Sequence, residues 1–263
     1  RGLGDVYKRQ VAAAAGLAKT GKKVFVTGPA CFLAARAYEQ VKVDVAYNRT
    51  DVRIIGVSAG VSYGPLGCTH TTMHDFASMR ALPNLTILAP CDAVQTEYLT
   101  DLLCQFTGPV YMRMGRGDVP PVYEAGEKFE IGKIKTVCEG TDATIIACGE
   151  MVAPAKKAAE LLQAEGISVR VLDCFTIQPM DTKTVEKALR ETRAVVTVEE
   201  HSTRGGLGEA VSHIAAELRG SAPMRLLGLP EEVVIGKSQE LFAYYGLTPE
   251  GISAAIKERL ERE

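Results

Sequence analysis

One histidine lies in a glycine-rich loop, at a position where α/β proteins bind their ligands. His70 belongs to the run SYGPLGCTHTTMHDF, which follows a predicted buried strand and precedes a predicted helix. Ligands of open α/β sheets bind at the carboxyl ends of the strands, and the first turn of a helix offers unpaired backbone N–H groups. An imidazole can transfer protons near neutral pH. The position therefore predicts a functional role for His70.

The same run leaves a metal site open as an alternative. His74 follows His70 by four residues and Asp75 stands beside it, which is a spacing that can hold zinc on a helix. The glutamate of an H-E-x-x-H motif is missing, and no further ligand is evident. The competing interpretation of His74 is an ordinary residue on the helix surface.

Two arginines end the strand in PVYMRMGRG. Arg113 and Arg116 lie at a carboxyl strand end, where a guanidinium group can bind a substrate phosphate with two hydrogen bonds. A salt bridge at a domain junction explains either arginine equally well.

A third histidine stands before a cluster of glycines. His201 follows Glu199 and Glu200 and precedes the turn HSTRGGLGEA, and a strand, glycines and a helix in that order can bind phosphate. The glycine spacing does not match G-x-G-x-x-G, so a tight turn with close helix packing is favoured over nucleotide binding. His213 lies within the following helix and is predicted to be a partly exposed side chain.

The elements that position these residues follow an α/β pattern. Short β-rich runs alternate with longer helical stretches, which predicts two domains, each a mostly parallel sheet flanked by helices. Strands are predicted near Lys23–Thr27, Val52–Ser58, Thr86–Ala89, Val110–Met114, Ala143–Ala147, Ser168–Asp173 and Ala194–Glu199. Helices are predicted near Val11–Lys19, Cys31–Asp44, Met73–Arg80, Ala93–Leu103, Val152–Glu165, Thr182–Glu191, Leu207–Arg219 and Pro249–Arg262. The proline-containing stretch DVPPVYEAGEK interrupts the pattern and predicts domains at residues 1–120 and 135–263 with a linker at 121–134.

Composition excludes several classes of protein. A net charge of -2 gives no electrostatic reason to expect a nucleic-acid partner. No apolar run has the roughly 18 residues that span a bilayer. The seven cysteines are scattered and never spaced as C-x-x-C, which favours a reducing cytoplasm over a disulfide framework.

The first ten residues, RGLGDVYKRQ, have no apolar segment of the kind found in a signal peptide. They also join the helix that begins near Val11 without a capping residue. We therefore hypothesise that residues 1–10 are a truncation or a non-native segment.

Taken together and in order, several stretches from Val11 to the C-terminus resemble the transketolase family. The matching stretches are AAAAGLAKTGKKVFV, RAYEQVKVDVAY, GCTHTTMHDFASMRALPNLTILAPCDAVQT, GPVYMRMGR, TDATIIACGEMV, GISVRVLDCFTIQPMD and VEEHSTRGGLGEAV. The resemblance implies a pyrimidine-binding domain of the thiamine diphosphate fold followed by the C-terminal domain of transketolases.

The resemblance also implies a partner subunit. Family members bind the cofactor's diphosphate and a magnesium ion through a G-D-G…N motif, whereas Gly117-Asp118 here leads into the proline-rich linker. A separate subunit is therefore expected to hold the diphosphate and Mg²⁺, so that neither chain is active alone. The implied assembly is a heterotetramer around a homodimer core. The implied reaction moves a two-carbon ketol unit from a ketose phosphate to an aldose.

The family's site residues carry over to five positions. His70, with Thr69 beside it, matches the histidine that contacts substrate oxygens and assists proton movements. Arg116 matches the arginine that binds the substrate phosphate, and Arg113 is a neighbouring candidate for the same contact. Phe32 matches an aromatic ring that packs on the aminopyrimidine. On the residues alone, Phe32 and Tyr38 at helical spacing are more often core than cofactor platform.

Three departures from the family pattern stand out. A second aromatic ring is replaced by Pro29, which thins the stacking platform. An aspartate that binds a sugar hydroxyl in family members is replaced by Leu66, which implies a different or modified substrate. The glutamate that activates the pyrimidine falls on Tyr7, and the only carboxylate nearby is Asp5. The chain as written is therefore expected to be nearly inactive.

Within this family the alternatives are a 1-deoxyxylulose-5-phosphate synthase and the β subunit of a 2-oxoacid dehydrogenase. The synthase usually carries both cofactor halves in one longer chain and keeps the aspartate, unlike Leu66. The β subunit typically has a different loop at GCTH. A non-catalytic alternative is a subunit retained for assembly after losing the glutamate. A nucleotide-binding module resting on Gly205–Gly208 has little support.

Overall fold

The computed structural model describes residues 4–261 of the chain. The helices are α1 (Gly4–Ala18), α2 (Ala30–Arg36), α3 (Tyr38–Gln40), α4 (Asp75–Arg80), α5 (Ala93–Gln105), α6 (Val152–Ala164), α7 (Thr182–Glu191), α8 (Leu207–Glu217), α9 (Ser238–Tyr244) and α10 (Pro249–Glu261). The strands are β1 (Val24–Pro29), β2 (Val52–Val57), β3 (Thr86–Leu88), β4 (Val110–Arg113), β5 (Lys135–Cys138), β6 (Ala143–Ala147), β7 (Val169–Asp173), β8 (Thr176–Gln178), β9 (Ala194–Ser202) and β10 (Met224–Leu229). A π-helical segment (Val41–Tyr47) and 3-10 segments (Gly64–Thr69 and Gly149–Met151) complete the helical elements of this part of the chain.

The strands form two sheets of five strands each. The first has the order β1-β2-β4-β3-β8 and the second the order β10-β9-β6-β7-β5. Neighbours in each sheet are parallel except at one edge, where β8 and β5 run antiparallel. The central strands are buried along nearly their whole length, as in Ala143–Ala147, which is typical of parallel strands that are covered on both faces. The predicted α/β fold class is confirmed.

The two halves of the chain are joined by a strand pairing in the first sheet and by buried clusters that contain residues of both halves. Strand β8 follows β7 of the second sheet, yet it pairs with β3 at the edge of the first. Phe76 and Ile87 from the first half belong to the same buried cluster as Ile177 and Leu207 from the second. The interface between the halves is therefore built like a protein interior, with apolar side chains removed from water.

The predicted linker is held firmly to both halves. Asp92, which caps α5, also accepts hydrogen bonds from the backbone N–H groups of Val122 and Tyr123, both at 2.9 Å. The Tyr123 hydroxyl donates to the buried carboxyl of Asp173 at 2.8 Å. Phe129 is only 5% exposed. This stretch is consequently a packed connection and not a flexible one.

Several sequence predictions of elements need correction. The helix predicted over Cys31–Asp44 is divided into α2, α3 and the π-helical segment. The break between α2 and α3 lies at Ala37, which leaves the helical conformation at φ -103° and ψ 12°. The short strands β5, β8 and β10 and the helix α9 were not predicted. Helix α1 begins at Gly4, so residues 4–10 continue the helix predicted from Val11. Residues 1–3 of the hypothesised non-native segment lie outside the described residues.

Within residues 4–261, no helix is both long enough and apolar enough to cross a membrane. All seven cysteines are free thiols.

Candidate active site

A row of aromatic rings lies at the carboxyl end of the first sheet. The Phe32 ring, at the start of α2, lies 5.3 Å from the Tyr7 ring and 5.1 Å from the His70 ring, centroid to centroid. The His70 ring lies 5.6 Å from the Tyr63 ring, and both of its neighbours meet it edge to face. We call Tyr7, Phe32, His70 and Tyr63 the ring cluster. All four side chains are partly exposed, so they line a surface and are not core residues.

The loop between β2 and α4 supplies two members of the ring cluster. Its 3-10 segment turns sharply at Gly67, where φ is +65°, a conformation that glycine adopts without strain. The carbonyl of Gly67 accepts hydrogen bonds from the N–H groups of His70 and Thr71, both at 3.0 Å. Thr69 Oγ1 lies 2.9 Å from His70 Nδ1. This contact fixes the ring of His70 and leaves its other nitrogen available.

Arg116 borders the ring cluster on the side of Tyr63. Its guanidinium carbon lies 5.0 Å from the centre of the Tyr63 ring, which is a cation–π contact. The side chain is exposed, so the guanidinium group keeps donors for an anionic ligand.

Arg113 has a different role from the predicted substrate contact. It is 6% exposed, and its guanidinium group lies 3.5 Å from the Asp75 carboxylate and 4.0 Å from that of Glu200. It also donates a hydrogen bond of 2.5 Å to the Glu200 carbonyl. With its donors used inside the protein, Arg113 forms the salt bridge at the domain junction that was the alternative interpretation.

Buried carboxyl groups surround this arginine. Asp75 accepts a hydrogen bond of 2.8 Å from the Tyr111 hydroxyl, and Glu200 accepts one of 2.7 Å from the Val61 N–H group. Burial raises the pKa of Glu200, although the charge of Arg113 opposes that shift. Because Val61 lies in the loop that carries His70, this network connects the second half of the chain to the ring cluster.

The glycine turn after His201 packs tightly and leaves no phosphate cradle. The Glu199 carboxylate accepts the N–H groups of Leu207 and Gly208 at the start of α8, both at 2.7 Å. A Cβ atom added at Gly206 would overlap that carboxylate. The N–H groups that could hold a phosphate are therefore occupied, and the tight turn favoured from the sequence is present.

His201 is fully buried in a neutral form. Its Nε2 accepts the Ala77 N–H at 3.3 Å, while Nδ1 lies 2.6 Å from the carbonyl of Ser202. Burial lowers the pKa of His201 to about 4. By contrast, His213 is an exposed helix residue, with 80% of its side chain accessible.

The other predicted residues lie as follows. His74 is exposed and precedes α4, and among the described residues no three His, Cys, Asp or Glu side chains are grouped to hold a metal ion. Tyr38 packs on the core, and its hydroxyl donates to the Ser78 carbonyl at 3.0 Å. The sequence pattern did not predict Tyr63 as a site residue, although its position in the same loop as His70 could have indicated it. Asp5 pairs with Lys8 at 2.9 Å on the outside of α1.

The fold, with its two sheets, and the ring cluster define the class of protein. The chain belongs to the transketolase family. The family model for the transketolase pyrimidine-binding domain matches residues 8–121, and the model for the transketolase C-terminal domain matches residues 132–252.

Among known proteins, the chain is similar to subunits of transketolases that are built from two polypeptides. It is 50% identical to an apulose-4-phosphate transketolase subunit of Phocaeicola vulgatus, covering 96% of this chain and 81% of that protein. It is 39% identical to a putative transketolase C-terminal section of Methanocaldococcus jannaschii, covering 99% and 82%.

Solved structures give the same assignment. A split gene transketolase, described as an inactive beta4 tetramer, superposes with a TM-score of 0.86 at 38% identity, covering 95% of this chain and 79% of that one. A transketolase mutant from Pichia stipitis superposes with a TM-score of 0.81 at 22% identity, over 97% of this chain and 37% of that one, which shows the shared fold. The chain is therefore a C-terminal subunit of the split transketolase type, and the family implies dependence on thiamine diphosphate.

Proposed function

We propose that this chain forms one wall of a thiamine diphosphate site, and that a partner subunit supplies the other wall with the diphosphate and its Mg²⁺. The observation that carries the proposal is the Phe32 ring, which is partly exposed beside His70 at the carboxyl end of the first sheet. A flat aminopyrimidine can pack against such a ring. When bound, the cofactor supplies the carbon nucleophile that accepts the two-carbon unit.

The residues of this chain then have distinct roles. Phe32 orients the pyrimidine. Tyr7, whose ring lies 5.3 Å from that of Phe32, stands where the family resemblance predicts the activating carboxylate. His70, oriented by Thr69, exchanges a proton with the substrate oxygen while the C2–C3 bond of the ketose breaks. Arg116 binds the phosphate at the far end of the sugar. The shortened aldose leaves, and the two-carbon unit then forms a new carbon–carbon bond to an aldose acceptor.

The donor is proposed to be a ketose, and the names of related proteins supply the first candidates. Two similar proteins are subunits of apulose-4-phosphate transketolases, at 50% and 33% identity, and one at 34% is a 6-deoxy-6-sulfo-D-fructose transketolase subunit. Apulose 4-phosphate is thus the first donor to test, followed by the sulfosugar and by ordinary pentose phosphates. A 2-oxoacid dehydrogenase β subunit and a deoxyxylulose-phosphate synthase are not favoured by these similarities.

The decisive experiment mixes this chain with a co-encoded G-D-G…N subunit, thiamine diphosphate and Mg²⁺, and assays ketol transfer. We expect both subunits to be required, with the unmodified chain slow and the Tyr7→Glu variant faster. A chain that transfers ketol units without any second subunit contradicts the shared site. A Tyr7→Glu complex that assembles and binds cofactor, yet transfers nothing from any donor, favours a subunit retained for assembly.

A further inference from the structure

The arginine that is proposed to bind the substrate phosphate stands on irregular backbone. Strand β4 ends at Arg113, and the next residues form neither a strand nor a helix. Met114 is still tied to the sheet, because its N–H group donates to the Gly56 carbonyl at 2.9 Å and its carbonyl accepts the Ala59 N–H group at 3.1 Å. Arg116 itself is exposed. The direction of its side chain therefore depends on what holds the backbone beyond the end of the sheet.

A glutamate from the second half of the chain reaches this backbone. Glu150 lies in the 3-10 segment before α6, and the Arg116 N–H group donates a hydrogen bond to its carboxyl group. A Cβ atom added at Gly115 would overlap Oε1 of Glu150, so the carboxyl group rests directly on this glycine. Only a residue without a side chain leaves room for such a close approach. Glu150 thus contacts the backbone on which the Arg116 side chain stands.

The segment that carries Glu150 is anchored across the junction between the two halves. The Gly149 N–H group donates to the carbonyl of Ala89, the residue that follows β3 of the first sheet, at 3.2 Å. On the other side of Glu150, Met151 is 1% exposed and belongs to the same buried cluster as Leu88. Because the residues on both sides are held, the carboxyl group of Glu150 has a defined place.

The contact between Glu150 and Arg116 does not require a charged carboxyl group. Burial raises the pKa of Glu150, while the charge of Arg113 and the hydrogen bond from Arg116 oppose that shift. A neutral carboxyl group still accepts an N–H group through its carbonyl oxygen. Without Glu150, Arg113 would keep the carboxyl groups of Asp75 and Glu200 as partners. Substitutions at position 150 are therefore expected to leave the domain junction folded.

We propose that Glu150 is a positioning residue for substrate binding, because it holds the Arg116 backbone and so keeps the guanidinium group beside Tyr63 at the ring cluster. This role rests on the phosphate contact proposed above for Arg116. Its effect has the opposite sign from the effect of charge. A carboxylate near Arg116 repels an anionic substrate, so its removal would by itself strengthen phosphate binding. Loss of the hydrogen bond instead frees the backbone, and binding must then order it at a cost.

Two substitutions at position 150 separate these effects in the complete two-subunit enzyme that carries Tyr7→Glu. Glu150→Ala removes the acceptor and should raise KM for a phosphorylated donor about 3- to 10-fold, which is the range that one hydrogen bond supports. Glu150→Gln keeps an acceptor of the same size, so it should not raise that KM. In both variants, kcat and the KM for a donor without a phosphate should not change. Should Glu150→Ala fail to fold, Glu150→Met fills the space without an acceptor and takes its place.

Glu160→Ala is the matched control for the loss of a carboxylate. Glu160 lines the same open cleft of about 960 Å³ as Arg116 and Glu150, and its carboxylate pairs with Lys157 at 2.7 Å. This control should not raise KM for the phosphorylated donor. In an Arg116→Met background, Glu150→Ala should have no further effect on KM, because the two residues act through one contact.

Amide exchange provides a readout that does not need activity. In the full chain, the Arg116 amide hydrogen should exchange faster with deuterium in Glu150→Ala than in Glu150→Gln or the parent chain. Equal exchange in all three, or a KM that both variants shift alike, overturns the positioning role. A lower KM in Glu150→Ala would mean that Glu150 acts only through its charge. If Arg116→Met itself leaves KM for the phosphorylated donor unchanged, the phosphate role of Arg116 fails, and the positioning role fails with it.

Discussion

The Tyr7 ring lies against the Phe32 ring, at 5.3 Å between centroids and an interplanar angle of 42°. Tyr7 also lies over the end of β1, because a Cβ atom added at Gly28 would be 3.3 Å from its ring. The phenol therefore occupies space beside the ring that is proposed to hold the pyrimidine. A phenol is a poor replacement for the carboxylate that activates the pyrimidine in the family.

Replacing Tyr7 by glutamate should restore the missing acid–base group. We expect ketol transfer by the two-subunit enzyme to rise by at least about 100-fold, which is the lower end of what a positioned acid–base group contributes. Tyr7→Gln is the control, since glutamine has nearly the same size as glutamate and carries no charge. Equal rates for the two variants would show that the effect is steric and that the activating group lies elsewhere.

His70→Asn should lower kcat/KM by about 100- to 1,000-fold in the Tyr7→Glu background, because the imidazole exchanges a proton with the substrate oxygen. Binding of thiamine diphosphate, followed by calorimetry, should change little. His213→Asn is the control, since that histidine is an exposed helix residue. A loss confined to cofactor affinity would assign His70 to the cofactor and not to the substrate.

Arg116→Met should raise KM for a phosphorylated donor by about 10- to 100-fold, the cost of a charge-assisted contact of about 1.5–3 kcal/mol. A donor without a phosphate should be used as well by the variant as by the parent enzyme. Because the side chain is exposed, the free energy of unfolding should stay within about 0.5 kcal/mol of the parent value. An equal effect on both donors would show that Arg116 does not bind the substrate phosphate.

Arg113→Met should act on stability. It leaves the carboxyl groups of Asp75 and Glu200 buried without their cation, which typically costs about 3–5 kcal/mol. Urea unfolding of the Arg113→Met and Arg116→Met variants provides the comparison. Near-equal stability of these two variants would contradict the assignment of Arg113 to the domain junction.

His201 makes the chain sensitive to acid. The unfolded chain binds a proton at this histidine near pH 6.5, whereas the folded chain does so only near pH 4, so stability falls as the pH drops through this window. Glu199 opposes the trend, because burial raises its folded pKa to about 7 and its uptake of a proton favours the folded chain. The His201→Gln variant should therefore lose the acid-dependent destabilisation that His201 causes and keep the opposing effect of Glu199.

The measurement is the difference in unfolding free energy between His201→Gln and the parent chain at pH 7, 6 and 5. The packing that the variant loses lowers its unfolding free energy by the same amount at every pH. On top of this constant offset, the unfolding free energy of the variant should rise relative to that of the parent chain as the pH falls, by at most about 3 kcal/mol over the whole window. His213→Gln, which replaces an exposed helix imidazole, is the control for the substitution itself. A flat difference for His201→Gln would mean that His201 does not take up its proton on unfolding.

The α/β pattern and the loop of His70 could be predicted because they depend on local sequence. Short, mostly apolar runs such as Ala143–Ala147 are typical of buried strands, so these strands are visible in the sequence. The pairing of β8 with β3 could not be predicted, since it depends on residues about ninety positions apart.

The roles of the two arginines were separable only in three dimensions. Arg113 and Arg116 follow the same strand, and their spacing does not say which one points inward. The partners of Arg113 come from α4 and β9, which no local pattern connects. The contact of Tyr63 with His70 likewise arises from the turn of a loop and not from a periodic spacing.

Strand β8 has a consequence for the way in which this polypeptide can be divided. A chain that ended in the proline-rich connection would present β3 as an open edge, with unpaired N–H and C=O groups ready to pair with another molecule. On the ribosome, that edge stays open until Thr176–Gln178 has emerged. Recombinant fragments cut at the connection are therefore expected to aggregate, whereas fusion of another polypeptide ahead of α1 leaves both sheets complete.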